Sequence, residues 1–531
     1  MSAPRRPWLC LIAFCLLLWV PGFFTIPPTD REESRIAQAT RQASADGRAL
    51  DIRFDVSERK RLPPGVHWLQ AAAVAATTAT GLARDNAIWP YRIPAALGAL
   101  GAVLVLFGQG RRMAGDGPAW LAAAMLGACI LVVVETHFAK ADAILLGLMS
   151  LVMLLLARAY LDPSGLSPAN AAWFWLAMGG AILVKGPAGP AIAALTIAAL
   201  FIADRRGGWL MRLRPAWGIP LMLLVASPWL AAVRDGLPLR IVTEAEQHWG
   251  PPGLYLLVSP ALLFPATIPV LLAVRGAWAE RAQPLNRFLL AWTVPAWIMF
   301  EAFPTKLPHY ILPLLPAIFL LAACWLCRAQ LPPVSTHWRR FAFGAGIVVT
   351  VLLGLAGLGL PILLRTDYWR AVPPLLATLA MLGFVWTALQ GDGRRAMRRM
   401  ILAMPLLTWA ALEILLPAMR PLWISPQVAQ ALAAAYPAGR PAGSFGTAGF
   451  HEPSLIFLAG SDTVALKPGA AEANAAFLAA APDRTILLAA AQRAAFLRAA
   501  AAVGITPRPI AEIAGFNYAA GRRESLTLYA R

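Results

Sequence analysis

Charge is what this sequence has least of. Only 14% of its 531 residues are Asp, Glu, Lys or Arg, against about a quarter in a soluble domain. Hydrophobic residues make up 59%, and the mean hydropathy is +0.62. So little polar surface cannot wrap that apolar mass, which excludes a soluble globular protein; the same numbers exclude disorder. Acidic residues are scarcer still, 27 against 46 Lys plus Arg, giving a formal charge of +19. In a membrane chain such an excess reflects basic loops that fix topology, so no nucleic-acid partner is expected. Cysteine is also rare, with five in all. Cys324 and Cys327 form a CxxC inside AACWLCRA, without a neighbouring histidine or carboxylate and without a second pair to complete four ligands. Neither a disulfide nor a zinc site is expected there.

What the chain does have is a succession of apolar runs. The first, 8–24, follows Arg5 and Arg6 and ends in PGFFTIPP rather than a small-x-small cleavage site, so it reads as a retained span with a cytoplasmic N-terminus. Others lie near 90–109, 118–135, 141–160, 171–185, 187–203, 216–233, 255–274, 288–304, 310–327, 341–364, 371–389 and 399–418. Together they predict about thirteen transmembrane helices. Arginines fall in alternate loops, among them Arg111, Arg112, Arg205, Arg206, Arg339, Arg340, Arg394 and Arg395. That alternation places the tail outside the cytoplasm. The expected fold class is an all-α polytopic membrane protein with a small C-terminal α/β extracytoplasmic domain, divided into 1–419 and 420–531. A long polar first external loop, about 26–88, contains two helical stretches, DREESRIAQATRQ and WLQAAAVAATTATGLA. In the tail, SLIFLAG, RTILLAA and ESLTLYA read as strands and AAAQRAAFLRAAAAVG as a helix.

Ionisable residues gather at the external ends of these runs. The first loop offers Asp30, Glu32, Glu33, Arg35, Lys60 and Arg61; HFAKADA brings His137, Lys140 and Asp142; KGP brings Lys185. Glu244, Glu246 and His248 precede WGPPG, and FPTKLPHY adds Lys306 and His309. Any one of these fits a side chain snorkelling to the interface. Five loops converging on one face predict a site. Glu413, within WAALEILLP, stands apart as a carboxylate inside a span; it reads equally as a functional group or as an interfacial one. Outside the cytoplasm a synthetic reaction needs an activated donor carried in the lipid, and a sugar on a polyprenyl phosphate meets that need. Its anionic leaving group calls for fixed positive charge, and an acceptor hydroxyl calls for a nearby carboxylate base.

In order along the chain, EESR, HFAKADA, LVKGPAGP, EQHWGPPGLY, PTKLPHYILPLLP and GFHEPSLIFLAG resemble segments of the GT-C class of membrane glycosyltransferases. Within that class the resemblance is to the aminoarabinose transferase and dolichyl-phosphate-mannose-protein mannosyltransferase-like group. It implies a GT-C fold, a polyprenyl-phosphate-linked sugar donor, and a single in-line displacement with inversion at the anomeric carbon. It implies Glu32 as the catalytic carboxylate, where the family carries aspartate, with Glu33 and Asp142 beside it and Asp30 in reserve. Lys60, Arg61, Lys140, Lys185 and Lys306 would hold the donor phosphate. Asp30, Arg35, His137, Glu246, His248 and His309 would line the substrates. The family's lysine before the loop proline is Leu62 here, so Arg61 or Lys60 is expected to replace it. Some relatives hold a divalent metal; His248 matches their histidine, but Arg61 stands at their acidic position. The ligand pattern is incomplete and no metal is assigned. The expected location is a bacterial-type inner membrane, with a lipid A, other glycolipid or protein acceptor. A lipid-linked-sugar flippase and a non-catalytic GT-C-like assembly protein are the alternatives.

Overall fold

A computed structural model describes the chain apart from residues 1–3, 30, 48–49, 51, 55–57, 60–62, 235–248, 329, 331–333 and 391–392, and apart from the side chains of 53–54, 58–59, 232–234 and 393. The apolar runs fold as helices. In chain order they are α1 (Pro7–Trp19), then α2 (Glu32–Ala45) and α3 (Gly65–Ala79) from the first loop, then α4 (Trp89–Ala114), α5 (Asp116–Ala128), α6 (Ile130–Thr136), α7 (Asp142–Leu161), α8 (Pro168–Lys185), α9 (Ala188–Asp204) and α10 (Pro215–Arg234). The series continues with α11 (Leu254–Leu262), α12 (Thr267–Ala279), α13 (Pro284–Ala302), α14 (Leu315–Leu326), α15 (Thr336–Leu364), α16 (Val372–Leu389), α17 (Gly393–Leu402) and α18 (Met404–Thr408). Among the described residues six helices are long and apolar enough to cross a membrane, or seven with the α5–α6 pair, which bends by 57°. The expected thirteen are not reached by that measure, because helices such as α1, α9 and α12 are apolar but short.

Helix contact in lipid depends on small residues that let backbones approach. Gly98 and Gly147 supply this between α4 and α7: a Cβ on Gly147 would lie 2.4 Å from the Gly98 carbonyl oxygen, and one on Gly98 would lie 2.6 Å from that of Ala143. Around this seam Leu106, Phe107, Met149, Leu154, Trp292 and Phe319 are fully buried. The bend between α5 and α6 falls at Cys129, whose backbone is extended. There the freed Ile130 N–H donates to the Phe264 carbonyl at 2.9 Å, where α11 gives way to α12.

The tail forms an α/β unit with α19 (Ile424–Ala435), α20 (Pro453–Ala459), α21 (Ala471–Ala479) and α22 (Ala490–Ala502). Two short strands in the first loop are β1 (Arg53–Phe54) and β2 (Glu58–Arg59); the tail contributes β3 (Phe445–Ala448), β4 (Val464–Leu466), β5 (Thr485–Ala489), β6 (Arg508–Asn517) and β7 (Arg522–Ala530). Its sheet runs β4-β3-β5-β7-β6, parallel across the first three strands and antiparallel across the rest. RTILLAA and ESLTLYA are strands as expected, but SLIFLAG is helix α20. A short continuous apolar run fits a buried strand or a buried helix equally well, and Pro453 at its first turn starts a helix. Ile456 and Phe457 of α20 are buried against α2 and its neighbours.

Replacing Gly147 by leucine should force the α4–α7 seam apart at a cost on the order of 1–3 kcal/mol, the range for overpacking. Thermal unfolding of the detergent-purified protein should shift down for Gly147→Leu and hold for Gly101→Ala, since a Cβ on Gly101 meets nothing within 4 Å.

Candidate active site

The site is assembled from helix ends. Asp142 opens α7 and Lys185 closes α8. A carboxylate at a helix N-terminus and an ammonium at a C-terminus both suit the helix dipole, and here the two form an ion pair. Gly186 ends α8 at φ +66°, a conformation that favours glycine, and lets the chain turn within van der Waals distance of Trp229. Glu135 projects from α6 and His309 from the 3₁₀ turn Pro308–Leu314. His309 bridges the two carboxylates, with Nδ1 3.6 Å from Glu135 Oε1 and Nε2 3.7 Å from Asp142 Oδ1. Lys140 Nζ donates to Glu135 Oε1 at 3.1 Å and lies 3.8 Å from Glu32 Oε2. Burial alone would discharge Lys140, but Glu135, Asp142 and Glu32 outweigh it and hold the ammonium well above the ordinary lysine range.

These groups differ in exposure, and that divides their work. Glu135, Asp142 and His309 are buried and Lys140 nearly so, whereas the Lys185 side chain is 29% exposed and that of Glu32 47%. Glu32 and Lys185 therefore face whatever enters, over a floor of buried charge. Glu32 begins α2 directly after Arg31, whose φ of +65° is strained for a side chain bearing a Cβ. The tip of the β6–β7 hairpin holds that turn, with the Ala519 carbonyl accepting from the Arg31 guanidinium.

Glu33 has a different place from Glu32. It is 1% exposed and accepts from Arg92 Nε at 2.8 Å, from Thr29 N and Oγ1 at 2.9 and 2.7 Å, and from the Ala139 N–H at 3.0 Å. Arg92, fully buried, also donates to the carbonyls of Phe23, Ile26 and Pro27. Burial alone would raise the Glu33 carboxyl, but Arg92 and Thr29 outweigh it and hold it below the usual carboxylate range. His137 is likewise engaged by backbone, its ring nitrogens 2.7 and 2.8 Å from the carbonyls of Val133 and Pro21. Lys306 is buried and donates to the carbonyls of Glu301 and Phe303, beside Gly250 of the WGPPG segment. Arg35 lies half-buried on α2. Asp30, Lys60, Arg61, Glu246 and His248 lie outside the described residues.

Glu135 and Arg92 escaped the sequence reading. Both sit inside apolar runs, VVVETHF and WPYRIP, and an ionisable residue in such a run is itself the signal. Glu135, Asp142 and His309 present ligand atoms within 4.8 Å of one another. Lys140 and Lys185 already supply positive charge to these two carboxylates, each bonding one oxygen.

Comparison with known proteins supports the resemblance in both sequence and fold. Residues 61–231 match the family model described as dolichyl-phosphate-mannose-protein mannosyltransferase. An undecaprenyl phosphate-alpha-4-amino-4-deoxy-L-arabinose arabinosyl transferase of Pectobacterium carotovorum is 29% identical over 212 residues, which is 36% of this chain and 37% of that protein. The match thus spans little more than a third of that relative. One so named from Pseudomonas paraeruginosa is 27% identical over 78% of this chain and 76% of its own. The crystal structure of ArnT from Cupriavidus metallidurans bound to undecaprenyl phosphate superposes with a TM-score of 0.73 at 21% identity, covering 99% of this chain and 98% of that one. An Archaeoglobus fulgidus oligosaccharyltransferase superposes at 0.50 with 11% identity, over 92% of this chain and 68% of that one. The chain is a polytopic membrane protein of the GT-C glycosyltransferase fold. Within it, the resemblance is to the aminoarabinose and mannosyltransferase-like group.

Removing one partner of a buried ion pair strands the other, at about 3–5 kcal/mol. Arg92→Met should therefore abolish the recovery of folded protein, and Glu33→Met with Arg92→Met should restore part of it. Because the Glu33 carboxyl is held below its ordinary value of 4.5, its contribution is present at neutral pH and lost as pH falls through the range below that value. Thermal unfolding followed from pH 5 down to about pH 2 should show a steeper loss for wild type than for the double variant.

Proposed function

We propose that the chain is an integral membrane glycosyltransferase that transfers a sugar from a polyprenyl-phosphate donor to an acceptor at the face carrying the α/β unit. The leading donor is the amino sugar on undecaprenyl phosphate named for its relatives, and the leading acceptor is the phosphorylated sugar headgroup of lipid A. One observation carries the reading: a half-exposed carboxylate and a part-exposed ammonium, Glu32 and Lys185, overlie a buried Lys140–Glu135–His309–Asp142 network.

Lys185 holds the donor phosphate as negative charge develops on it, and Lys140 adds a permanent positive charge behind Glu32. Glu32 accepts the proton of an acceptor hydroxyl, or orients an acceptor phosphate, for attack on the anomeric carbon from the side opposite the leaving phosphate. Inversion follows from that single displacement. Asp142 fixes Lys185, and Glu135 fixes Lys140 and His309, so these carboxylates position cations rather than meet the sugar. Glu33 positions α2 through Arg92. Lys306 and His137 hold backbone around the site. Lys60, Arg61, Asp30, Arg35, Glu246 and His248 remain proposed donor- or acceptor-lining residues. The α/β unit of residues 420–531 acts as a cap that holds α2, on the non-cytoplasmic face of a bacterial inner membrane, with the N-terminus in the cytoplasm.

In vesicles supplied with undecaprenyl-phosphate aminoarabinose and lipid A, product mass spectrometry should show Glu32→Gln slowed by about 10²–10⁴-fold, the usual share of a general base. Lys185→Met should lower kcat as well as raise the KM for donor. Full transfer by Glu32→Gln would refute its assignment, and no transfer by wild type would refute the donor–acceptor pair.

A further inference from the structure

Glu413 has no part in the network around Lys140, yet like Glu135 it is a carboxylate inside an apolar run. It lies on a π-helical turn, Trp409–Leu415, that interrupts the last long helix. Such turns are uncommon and are frequent at functional sites. Glu413 Oε2 accepts from the Gly22 N–H at 2.6 Å and from Thr25 Oγ1 at 3.3 Å, closing one side of a cleft of about 620 Å³. Gly22 permits this approach, with φ +77° and the Leu412 carbonyl 2.7 Å from where a Cβ would stand. The other walls carry Asp367, Arg370 and Arg420.

The charges are unevenly engaged. Arg370 pairs with Asp367 at 3.2 Å and stacks over Trp369, with its guanidinium carbon 4.8 Å from the ring centroid. Arg420 is exposed, and although its carbonyl accepts from Gln427 and Trp423, its guanidinium makes no hydrogen bond or ion pair with the described residues. Two cations and two anions thus line one cleft, with one cation unengaged. A purely anionic ligand would meet Glu413 and Asp367 as well as the arginines. A ligand carrying a phosphate and an ammonium a few bonds apart complements all four.

The location selects a lipid over a soluble molecule. The cleft opens where α15 ends and α16 begins, and only 22% and 33% of those two spans is buried. Leu363 beside it is 71% exposed, and Tyr368 and Trp369 are each 61% exposed. Exposed aromatic rings next to an apolar helix face mark the level of lipid headgroups. Acyl chains lying along α15 and α16 would bring a headgroup to the arginines.

We propose that this cleft binds the headgroup of a zwitterionic aminophospholipid from the adjoining leaflet, with Arg370 and Arg420 on the phosphate and Glu413 on the ammonium. The site is separate from the Glu32 centre and does not depend on the transfer reaction. The test is native mass spectrometry of the full-length protein in detergent, titrated with phosphatidylethanolamine or phosphatidylglycerol. Wild type should retain the ethanolamine lipid at least about fivefold better than the glycerol lipid. Arg370→Ala with Arg420→Ala should lose that adduct about fivefold while retaining undecaprenyl phosphate as wild type does. Arg420→Ala alone, at an exposed side chain, covers the case in which the double variant does not fold, and should show a reduced adduct. Arg365→Ala, outside the cleft, should change nothing. Equal retention of both lipids, unchanged retention by the arginine variants, or displacement by soluble phosphoethanolamine would overturn the proposal. Parallel loss of undecaprenyl phosphate would overturn its separateness from the donor site.

Discussion

The ion pair between Glu33 and Arg92 is the interaction on which the rest of the site depends. Two formal charges are withdrawn from solvent, a costly step unless every polar atom finds a partner. Here they do: Arg92 gathers the carbonyls of Phe23, Ile26 and Pro27, while Glu33 takes Thr29 and the Ala139 N–H. Four stretches meet at this one pair, one of them the start of α4 that carries Arg92. The others are the turn after α1, the start of α2 that follows it, and the turn before α7. Lys140 follows Ala139 directly and Glu32 precedes Glu33 directly, so the pair sets the spacing between them without touching a substrate.

The α/β unit completes that restraint. Its hairpin tip bonds to Arg31, and α20 packs on the middle of α2, where Arg41 donates to the Phe457 carbonyl at 3.1 Å. The other face of α2 is joined to the membrane region through Thr40, which donates to Gln70, whose amide donates to the Ala139 carbonyl. A polar helix outside the membrane core is thereby fixed on both sides. Its first residue, Glu32, is thereby held beside Lys140 at the opening.

Much of this was legible in the sequence, for a physical reason. A charged residue at the end of an apolar run is conspicuous, and Glu32, Lys140, Asp142, Lys185 and His309 meet although they come from four segments. What the sequence could not distinguish was the job of each charge. Glu32 and Glu33 are adjacent and chemically alike, yet one side chain faces the opening and the other is sealed against Arg92. Lys306 and His137 stand among the same loops, and there each is engaged by backbone carbonyls. Glu135 was hidden by the apolar residues that make its burial possible. SLIFLAG was read as a strand because a buried face of seven residues has no period to betray a helix.

The break at Cys129 has a consequence for how this protein can change. The Ile130 amide freed there is satisfied by the Phe264 carbonyl, at the interruption between α11 and α12, and the Cys129 thiol lies 3.1 Å from the Leu262 carbonyl. In hydrocarbon no water is at hand to replace a lost partner. Each interruption is therefore the solvent of the other. A mutation that straightened one helix would leave a polar group of its neighbour without this partner. The direction in which α6 presents Glu135 is inherited from a pair of irregularities more than a hundred residues apart, and neither can be corrected alone.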